Sequence, residues 1–500
     1  MAADAGQAAA GPLRLDTAAG RWVIAAAVLG SGMATLDATV VNVALPSIAR
    51  DLGTGFAGLQ WVITGYTLTL ASLLLVGGSL ADRFGRRRTF AWGVVWFAVA
   101  SALCAAAPSV GVLVAARLLQ GAGGALLTPG SLAVISASFC AEDRGRAVGA
   151  WSGLGGIAAA VGPFLGGWLV EAASWRWIFL LNLPLGAAVV TIAVRHVPES
   201  LDPGAAGRRI DVTGALTGSI GLAAATYGLI DRSVAVALAG VLILAAFVAI
   251  EARAEAPMLP LEVFANRLFS AINAVTFVVY GALGASLFLI AITLQVGLGY
   301  SPLAAGGSLL PVTLIMLTLS SRSGALAERI GPRLPLTFGP VVIGAGLGLL
   351  VRVESGHSYV TTVLPALVVF GLGLALTVAP LTAAVLAAAE ARRAGVASAV
   401  NNAVARTAGL LAVAAVPLLT GFDPEGPVGP AAVVDGLQGV ARTAFVACVG
   451  AGALAFATMP ARRPAPDASR PPGRPTHHCP LDAPPLAVRA GNNPRERPIG

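Results

Sequence analysis

The chain has 500 residues, of which 56% are apolar and only 11% are charged, and its formal net charge is +8. Soluble domains carry roughly 25% charged residues, so a mean hydropathy of +0.82 excludes a purely soluble protein and indicates one that spans a membrane. The basic residues, all arginines, interrupt apolar runs instead of forming one surface cluster, so nucleic-acid binding is not expected. The four cysteines and four histidines show neither a disulfide framework nor a zinc spacing, and no cofactor is predicted.

Fourteen apolar segments follow one another along the chain, each close to the length that a hydrocarbon core of about 30 Å requires. All are expected to be helices, because lipid cannot satisfy the open edges of a sheet. The predicted spans cover residues 22–45, 58–80, 89–107, 111–135, 146–170, 176–195, 212–229, 234–251, 269–293, 301–320, 336–353, 359–384, 395–419 and 437–459.

Arginines concentrate in alternate connections between these spans, and such connections are usually cytoplasmic. An even number of spans then places both termini in the cytoplasm. The first 20 residues are too polar for a cleavable signal peptide, so the first span is expected to remain as an anchor. The residues from 460 onward are rich in proline and arginine and are expected to form a disordered cytoplasmic tail. The arginines that set the orientation are Arg83, Arg86, Arg87, Arg88, Arg144, Arg146, Arg208, Arg209, Arg322, Arg329, Arg333, Arg392 and Arg393.

An internal repeat divides the chain, because the pattern of Gly78–Arg87 after the second span recurs as Gly324–Arg333 after the tenth. The two halves therefore look homologous, as in transporters that are built from repeated bundles. We predict an all-α membrane fold of two six-helix bundles with two extra spans inserted between them. The predicted divisions are a cytoplasmic segment 1–21, a first bundle 22–195, a linker with the extra spans 196–251, a second bundle 252–459 and the tail 460–500.

Asp37 is the one carboxylate that lies well inside a predicted span. An ionised carboxylate at a helix centre costs about 2.5 to 3.5 kcal/mol on insertion scales, so a buried one is a functional candidate by default. Arg117 in the fourth span lies at a similar depth below the same membrane surface and could pair with it. Proton coupling by this pair is favoured, and the alternatives are a structural ion pair and an Arg117 that binds backbone carbonyls only.

Four further polar residues lie inside spans and are candidates for a substrate cavity. Asn42, Tyr66 and Gln120 could contact substrate, although hydrogen bonds between helices would explain them equally well. Arg406 is the only deep charge of the second half, where no acidic partner is evident, and a cavity-facing role and a structural role are equally compatible with the sequence.

The repeated loop suggests a latch. Gly78 would allow close helix approach, and Asp82 at a helix end could bind the positive amino-terminal end of the thirteenth span near Ala394. A solvated run of charges is the simpler explanation for the arginines that follow Gly85. In the fifth span a face of glycines predicts tight helix contact, and Pro163 predicts a bend. The glycines are Gly149, Gly153, Gly156, Gly162, Gly166 and Gly167.

The motifs together resemble the major facilitator superfamily, and within it the drug:proton antiporters with 14 spans, of the EmrB/QacA type. The resemblance covers about residues 20 to 460. It implies that Asp37 and Arg117 take part in proton transfer. The matching segments are Leu36–Pro46, Gly78–Arg88, Arg117–Ala125, Gly162–Gly167 and Trp175–Pro184.

The same resemblance implies a gating loop and an antiporter motif, and the second is the main reason to expect export. The gating loop would comprise Gly78, Asp82, Arg83, Gly85, Arg86 and Arg87. The antiporter motif would comprise Gly162, Pro163, Gly166 and Gly167.

The expected function is export of lipophilic small molecules across the inner membrane, driven by the proton gradient. The chain has no phosphate-binding loop of the G-x-x-x-x-G-K type and no catalytic triad, so neither ATP-driven transport nor enzymatic activity is expected. Protons, membrane lipids and a small-molecule substrate are the expected partners, and the protein is expected to act as a monomer. Because no deep acid is evident in the second half, neutral or anionic amphiphiles, or at most monocations, are the favoured substrates. A proton-coupled importer and a non-transporting scaffold or sensor are the alternative functions.

Overall fold

Long α-helices form nearly the whole of the computed structural model, which describes residues 13–201, 211–255, 257–354, 358–388, 394–422 and 429–461. Several predictions lie outside these residues. They concern residues 1–12, Arg208, Arg209, Arg392, Arg393 and the tail from residue 462.

Fourteen helical segments in the described residues are long and apolar enough to cross a membrane, which confirms the predicted number of spans and the all-α fold class. Two spans consist of two consecutive α-helices each, namely α6 with α7 and α11 with α12, whereas the short α16 follows the span that α15 forms. The helices are α1 (Ala18–Leu52), α2 (Phe56–Phe84), α3 (Arg86–Ala105), α4 (Val110–Ser138), α5 (Ala141–Ala172), α6 (Trp177–Leu180), α7 (Asn182–His196), α8 (Val212–Ile230), α9 (Val234–Glu251), α10 (Arg267–Ile292), α11 (Pro302–Ser308), α12 (Leu310–Ile330), α13 (Arg333–Leu349), α14 (Val363–Ala388), α15 (Ala394–Ala414), α16 (Val416–Thr420) and α17 (Pro430–Thr458).

Most helices continue beyond the apolar run that predicted them. The first span was expected over 22–45, but α1 begins after Thr17, whose hydroxyl accepts a hydrogen bond from the Gly20 amide at 3.1 Å. It ends at Gly53, which has a φ of 62°. These caps satisfy the free backbone groups of the helix ends, so the helix extends into polar sequence that hydropathy alone does not assign.

The internal repeat is visible in the backbone. Gly85 and Gly331 end α2 and α12 with φ values of 105° and 87°, in the left-handed region that favours glycine. Their amides donate to the carbonyls of Ala81 and Ala327 at 3.1 and 3.0 Å. The two copies of the loop therefore share one geometry.

One end of the helix bundle carries the N-terminal segment and the connections at Gly85; we call it the Gly85 end. The Leu13 amide donates to the Ser138 carbonyl at 2.8 Å, which joins the N-terminal segment to the end of α4. The Arg86 amide donates to the Ser200 carbonyl at 3.0 Å, which joins the α2–α3 connection to the segment after α7. We call the opposite end, where α2 begins, the Phe56 end.

The two halves pack against each other at the Phe56 end. The ring of Phe56 stacks on Phe422 with centroids 4.4 Å apart. The Gln295 amide group donates to the Val43 carbonyl at 2.8 Å, and a single core cluster contains residues of both halves around these contacts. The Phe56 end is therefore closed.

The Gly85 end is open between the halves. Gly149, Gly156 and Pro163 are spaced by seven residues, so they share one face of α5. Pro163 packs closely on Gly306 of α11, whereas a side chain added at Gly149 or Gly156 would meet no atom of the described residues within 4 Å. The prediction of tight helix contacts is therefore wrong for Gly149 and Gly156 in this conformation, because the halves separate between Pro163 and the Gly85 end.

The inserted helices α8 and α9 lie beside the seam between the halves. The ring of Tyr227 in α8 lies 6.2 Å from that of Trp61 in α2. The Arg232 guanidinium, in the turn between α8 and α9, donates to the Pro417 carbonyl of α16 at 2.6 Å. The inserted pair therefore contacts both halves.

Candidate functional site

The charged pair predicted from depth is present at the centre of the first half. Arg117 Nη1 of α4 donates directly to Asp37 Oδ2 of α1, and the side chains are 1% and 0% exposed. Arg117 Nε donates to the Val62 carbonyl of α2 at 3.0 Å. A buried carboxylate is thus compensated by a cation that three helices hold in place.

Other polar side chains complete this pair; we call Asp37, Ser101, Arg117, Gln120 and Asn182 the Asp37 network. Arg117 Nη1 also donates to Gln120 Oε1 at 2.6 Å, and Gln120 Nε2 donates to Asp37 Oδ1 at 2.8 Å. Asn182 Nδ2 of α7 donates to Asp37 Oδ1 at 3.4 Å and to Ser101 Oγ at 3.2 Å. Every group that reaches Asp37 is a donor, so the network fits the ionised carboxylate.

Protonation of Asp37 would break this arrangement. A neutral carboxyl group has an O–H donor where the carboxylate offers only acceptors, and in this network that donor would face donors. It would also remove the negative charge that compensates Arg117. The network can therefore convert the binding of one proton into the release of an arginine side chain.

Aromatic rings enclose the Arg117 guanidinium. Its Cζ lies 4.4 Å from the centroid of the Tyr66 ring and 5.8 Å from that of Phe179. The Tyr66 hydroxyl is buried and has no hydrogen-bond partner among the described residues. These rings exclude water from the pair, which strengthens its electrostatic attraction.

The predicted cavity residues occupy different environments. Gln120 and Tyr66 are buried, with 0% and 2% exposure, so neither lines an open cavity in this conformation. Asn42 is half-buried and donates to the Ala38 carbonyl of its own helix at 3.1 Å. Arg406 is half-buried, and no hydrogen bond or ion pair reaches it from the part of the chain that the structure describes.

The gating loop is held within the first half. Asp82 Oδ1 accepts from Arg86 Nε and Nη2 at 3.0 and 2.9 Å, and the Asp82 side chain remains 41% exposed. The Arg83 guanidinium lies over the neighbouring Phe84 ring at 5.4 Å. The predicted contact between Asp82 and the thirteenth span is not formed here, because the halves are apart at this end.

Close approach of α2 to α4 occurs one residue earlier than predicted. A side chain added at Gly77 would lie 2.0 Å from the Ala125 carbonyl oxygen, whereas one at Gly78 would be 4.0 Å from its nearest neighbour. The prediction for Gly78 is therefore wrong in this conformation, since helix packing selects the face of α2 on which Gly77 lies.

Glu199 is a functional candidate that the sequence did not reveal. Its two carboxylate oxygens accept hydrogen bonds from the amides of Arg87 and Arg88 at 3.1 and 3.2 Å, at the start of α3. The Arg87 and Arg88 side chains lie 3.6 and 3.7 Å from it. An acid at a helix start that carries arginines is a stabilising arrangement, but the polar connection around Glu199 gave no signal of it.

The glycines of the antiporter motif allow close packing. Added side chains at Gly162 and Gly166 would meet Thr39 Oγ1 at 2.0 Å and Val40 Cγ1 at 2.7 Å, both on α1. One at Gly167 would lie 2.3 Å from the Pro302 carbonyl oxygen of the second half. This part of α5 thus joins the helix of Asp37 to the opposite half.

The chain as a whole fits a known family. The sequence profile of the Major Facilitator Superfamily matches residues 27–413, which is well over half of the chain. The chain therefore belongs to the Major Facilitator Superfamily of multi-pass membrane transporters, as the motifs predicted.

Its relatives include resistance proteins. The chain is 37% identical over 436 residues to the puromycin resistance protein pur8 of Streptomyces alboniger, covering 83% of this chain and 86% of the relative. It is also 37% identical over 385 residues to the multidrug resistance protein Stp of Mycobacterium tuberculosis (strain ATCC 25618 / H37Rv), covering 75% of this chain and 71% of the relative.

Solved transporters share the fold at low sequence identity. A bacterial homologue of the human lysosomal transporter Spinster, in an inward-facing and unoccupied conformation, superposes with a TM-score of 0.63 at 17% identity over 89% of this chain and 97% of that one. A D-xylose–proton symporter gives a TM-score of 0.62 at 14% identity over 88% and 98%.

Proposed function

We propose that this protein is a proton-coupled antiporter that exports lipophilic small molecules, such as drugs, antibiotics or secondary metabolites, by alternating access. The observation that carries the proposal is the Asp37 network, a buried carboxylate and guanidinium pair at the centre of one half of a transporter fold. The names of the resistance proteins to which the chain is similar support export over import.

The protein is placed in the inner membrane with the Gly85 end and both termini in the cytoplasm, because arginines concentrate in the connections at this end. The described conformation is then open to the cytoplasm. In it Asp37 is paired with Arg117 and carries no proton, so the transporter is ready to take up substrate from the cytoplasm or the inner leaflet.

Conversion to the opposite conformation exposes the site to the outside, where proton concentration is higher. Substrate leaves, Asp37 binds a proton and Arg117 is released. Return to the described conformation carries the proton inward, and Arg117 displaces it when the pair re-forms. Substrate and proton thus cross the membrane in opposite directions, each on a different half of the conformational cycle, which is exchange.

Substrate is proposed to contact the surface between the halves, with Asn42 and Arg406 half-buried there and Tyr66 and Gln120 as the link to Asp37. Export needs protons and membrane lipids as partners, and a monomer is sufficient because each half of the seam comes from the same chain. One proton moving inward provides about 2.3 kcal/mol per 100 mV, enough for a concentration ratio of about fifty for a neutral substrate.

The proposal is tested in an efflux-deficient host and in everted membrane vesicles. We expect the chain to raise resistance to at least one compound of an antibiotic panel, and vesicles to accumulate that compound only when a proton gradient is imposed. A protonophore should abolish this uptake. Lowered resistance with gradient-driven loss from vesicles would instead identify an importer, and no movement of any compound would support a scaffold or sensor.

A further inference from the structure

Another buried carboxylate lies far along the chain from the Asp37 network. Glu251 is the last residue of α9, and it is only 2% exposed. Asp211 precedes α8 and caps its start, so the two acids lie at the two termini of the inserted helix pair, at the Gly85 end.

Each acid uses one oxygen to hold the backbone. Asp211 Oδ1 accepts from the Gly214 amide at 2.7 Å, and Glu251 Oε2 accepts from the Leu259 amide at 2.8 Å. The second of these bonds fastens the connection that leads from α9 to α10, the first helix of the second bundle.

The other oxygen of each acid has no donor. Asp211 Oδ2 and Glu251 Oε1 are buried and lack a hydrogen-bond partner among the described residues. They lie 2.5 and 2.2 Å from the position that a side-chain carbon at Gly214 would occupy, so the two oxygens are at most 4.7 Å apart. Two buried carboxylate oxygens this close repel each other unless they share a proton or a cation neutralises them, and no cation reaches them from the described residues.

We propose that Asp211 and Glu251 form a second proton-binding site, in which one shared proton fastens the connection between the inserted helices and α10. The ligand of this site is a proton from the cytoplasmic side. The site is separate from Asp37, for which proton coupling is proposed. It regulates how strongly the inserted helices are held to the second bundle, which moves during transport.

Charged groups around the pair are few in the described residues. Arg253 and Glu255 follow Glu251 on the exposed connection, and the Arg253 guanidinium donates to the Ala249 carbonyl at 3.0 Å. Glu262 lies further along the same connection and has a polar interaction of its own. Among the elements that pack on α8, α2 carries Arg83 and Asp82, which is paired with Arg86, and α15 carries Arg406. Arg208, Arg209, Arg392 and Arg393 lie outside the described residues.

Protons can reach the site. An open groove of about 560 Å³ passes Asp211, Thr213, Ile250 and Arg253 at this end of the inserted helices. The shared proton therefore exchanges with the cytoplasmic aqueous phase and not with the centre of the membrane.

The direction of the pH effect follows from the charges. While the proton is bound, one carboxyl donates to the other and the Leu259 amide stays fastened. As pH rises and the proton leaves, two negative charges face each other in a buried site, so Glu251 is expelled and the connection is released. Protection of residues 252–262 is thus present at lower pH and lost at higher pH.

Hydrogen–deuterium exchange on the full-length protein in lipid nanodiscs tests this proposal. After correction for the intrinsic rates, we expect protection of the segment with Leu259 to fall by about tenfold or more between about pH 6 and about pH 9. Glu251→Gln should keep the segment protected at every pH, because the amide can donate to Asp211 without a proton. Asp231→Asn, at an exposed acid at the other end of the same helix pair, should behave as the wild type.

Two further variants separate competing explanations. Asp37→Asn should leave the pH dependence of this segment unchanged, which distinguishes the site from the proposed proton coupling. Arg208→Gln with Arg209→Gln should leave it unchanged as well. Protection that does not vary with pH in the wild type, or that varies only after removal of these arginines, would show that the pair is neutralised by a cation and overturn the proposal.

Discussion

At the scale of single residues, the Asp37 network depends on the shape of the arginine as much as on its charge. Arg117 donates from two different nitrogens to three acceptors, on Asp37, Val62 and Gln120. A lysine has one nitrogen at the end of a flexible chain and cannot reproduce this fork. The site is therefore built to hold one arrangement while the carboxylate is ionised.

Replacement of this arginine by lysine tests that view. Arg117→Lys should reduce proton-driven efflux by about tenfold or more, because the charge is kept but Gln120 and Val62 lose their donor. Efflux rates in everted vesicles, together with thermal unfolding, measure the effect. Arg442→Lys, at an exposed arginine of α17, serves as the control. Normal efflux by the Arg117 variant would show that a positive charge at this position is sufficient for transport.

Only part of this site was predictable from the sequence. Asp37 and Arg117 stood out because charges inside apolar runs are rare, and helix rise placed them at one depth. Ser101 and Asn182 did not stand out, because a single small polar residue in a span usually forms a hydrogen bond within its own helix. The depth of a residue in the membrane also does not tell which helices are neighbours. Gln120 was predicted to line the cavity, but it lies in the network. The direction of its side chain around α4 is set by helix packing, which the sequence does not show.

At the scale of helices, the contact between α5 and α11 closes the Phe56 end. A side chain added at Gly306 would lie 2.1 Å from the Pro163 carbonyl oxygen, and backbone atoms cannot move aside as a flexible side chain would. The sequence indicated tight packing at these positions but not which end of the molecule is closed, since the same chain must serve both conformations.

Substitution at this contact should shift the conformational equilibrium. Gly306→Ala should push α5 and α11 apart and favour the conformation open at the Phe56 end. A single cysteine at Ala44, which is buried at the seam, should then react faster with a membrane-impermeant reagent added from outside, in a chain otherwise free of cysteine. Gly450→Ala, where nothing lies within 4 Å, is the control; equal reaction rates in both variants would contradict this account of the closed end.

The loop at Gly85 makes a second prediction at this scale. Gly85→Ala should slow transport, because the new side chain needs a left-handed backbone and would meet Glu199 Oε1 at 2.7 Å. The expected strain is about 1 to 3 kcal/mol. Gly111→Ala in α4 is the control, because an added side chain there meets no described atom within 4 Å. Transport at the same rate in the two variants would exclude a role for the loop geometry.

The latch hypothesis is tested separately. Asp82→Asn should preserve the conformation described here, in which the hydrogen bonds of Asp82 to described residues come from Arg86 of its own loop, and disfavour the opposite one. Crosslinking between α2 and α15 at the Gly85 end should therefore decrease in this variant. Crosslinking that is equally frequent in both conformations would refute the latch.

At the scale of the whole molecule, the distribution of buried charge limits the substrate. Among the described residues of the second half, no aspartate or glutamate is buried. A dication would therefore find no carboxylate to pair with there, and neutral or anionic amphiphiles or monocations are expected. Arg406 adds a positive charge to the same half and disfavours cations further.

The charge of the substrate sets the response to membrane potential. Exchange of one proton for a neutral compound moves one charge, whereas exchange for a monocation moves none. Collapse of the potential at a constant pH gradient should reduce export of the neutral compound and leave the monocation unaffected. Fluorescent transport assays in vesicles measure both, and potential-independent export of a bisquaternary dication would contradict this account of the second half.

Proton counterflow in proteoliposomes tests the central claim most directly. A compound exported in the resistance assay is added outside vesicles that contain the purified protein and a pH-sensitive dye. The wild type should carry the compound inward and protons outward, so the interior becomes alkaline, whereas Asp37→Asn should bind the compound and move no protons. Undiminished alkalinisation by the Asp37→Asn variant would show that Asp37 is not the site of proton coupling.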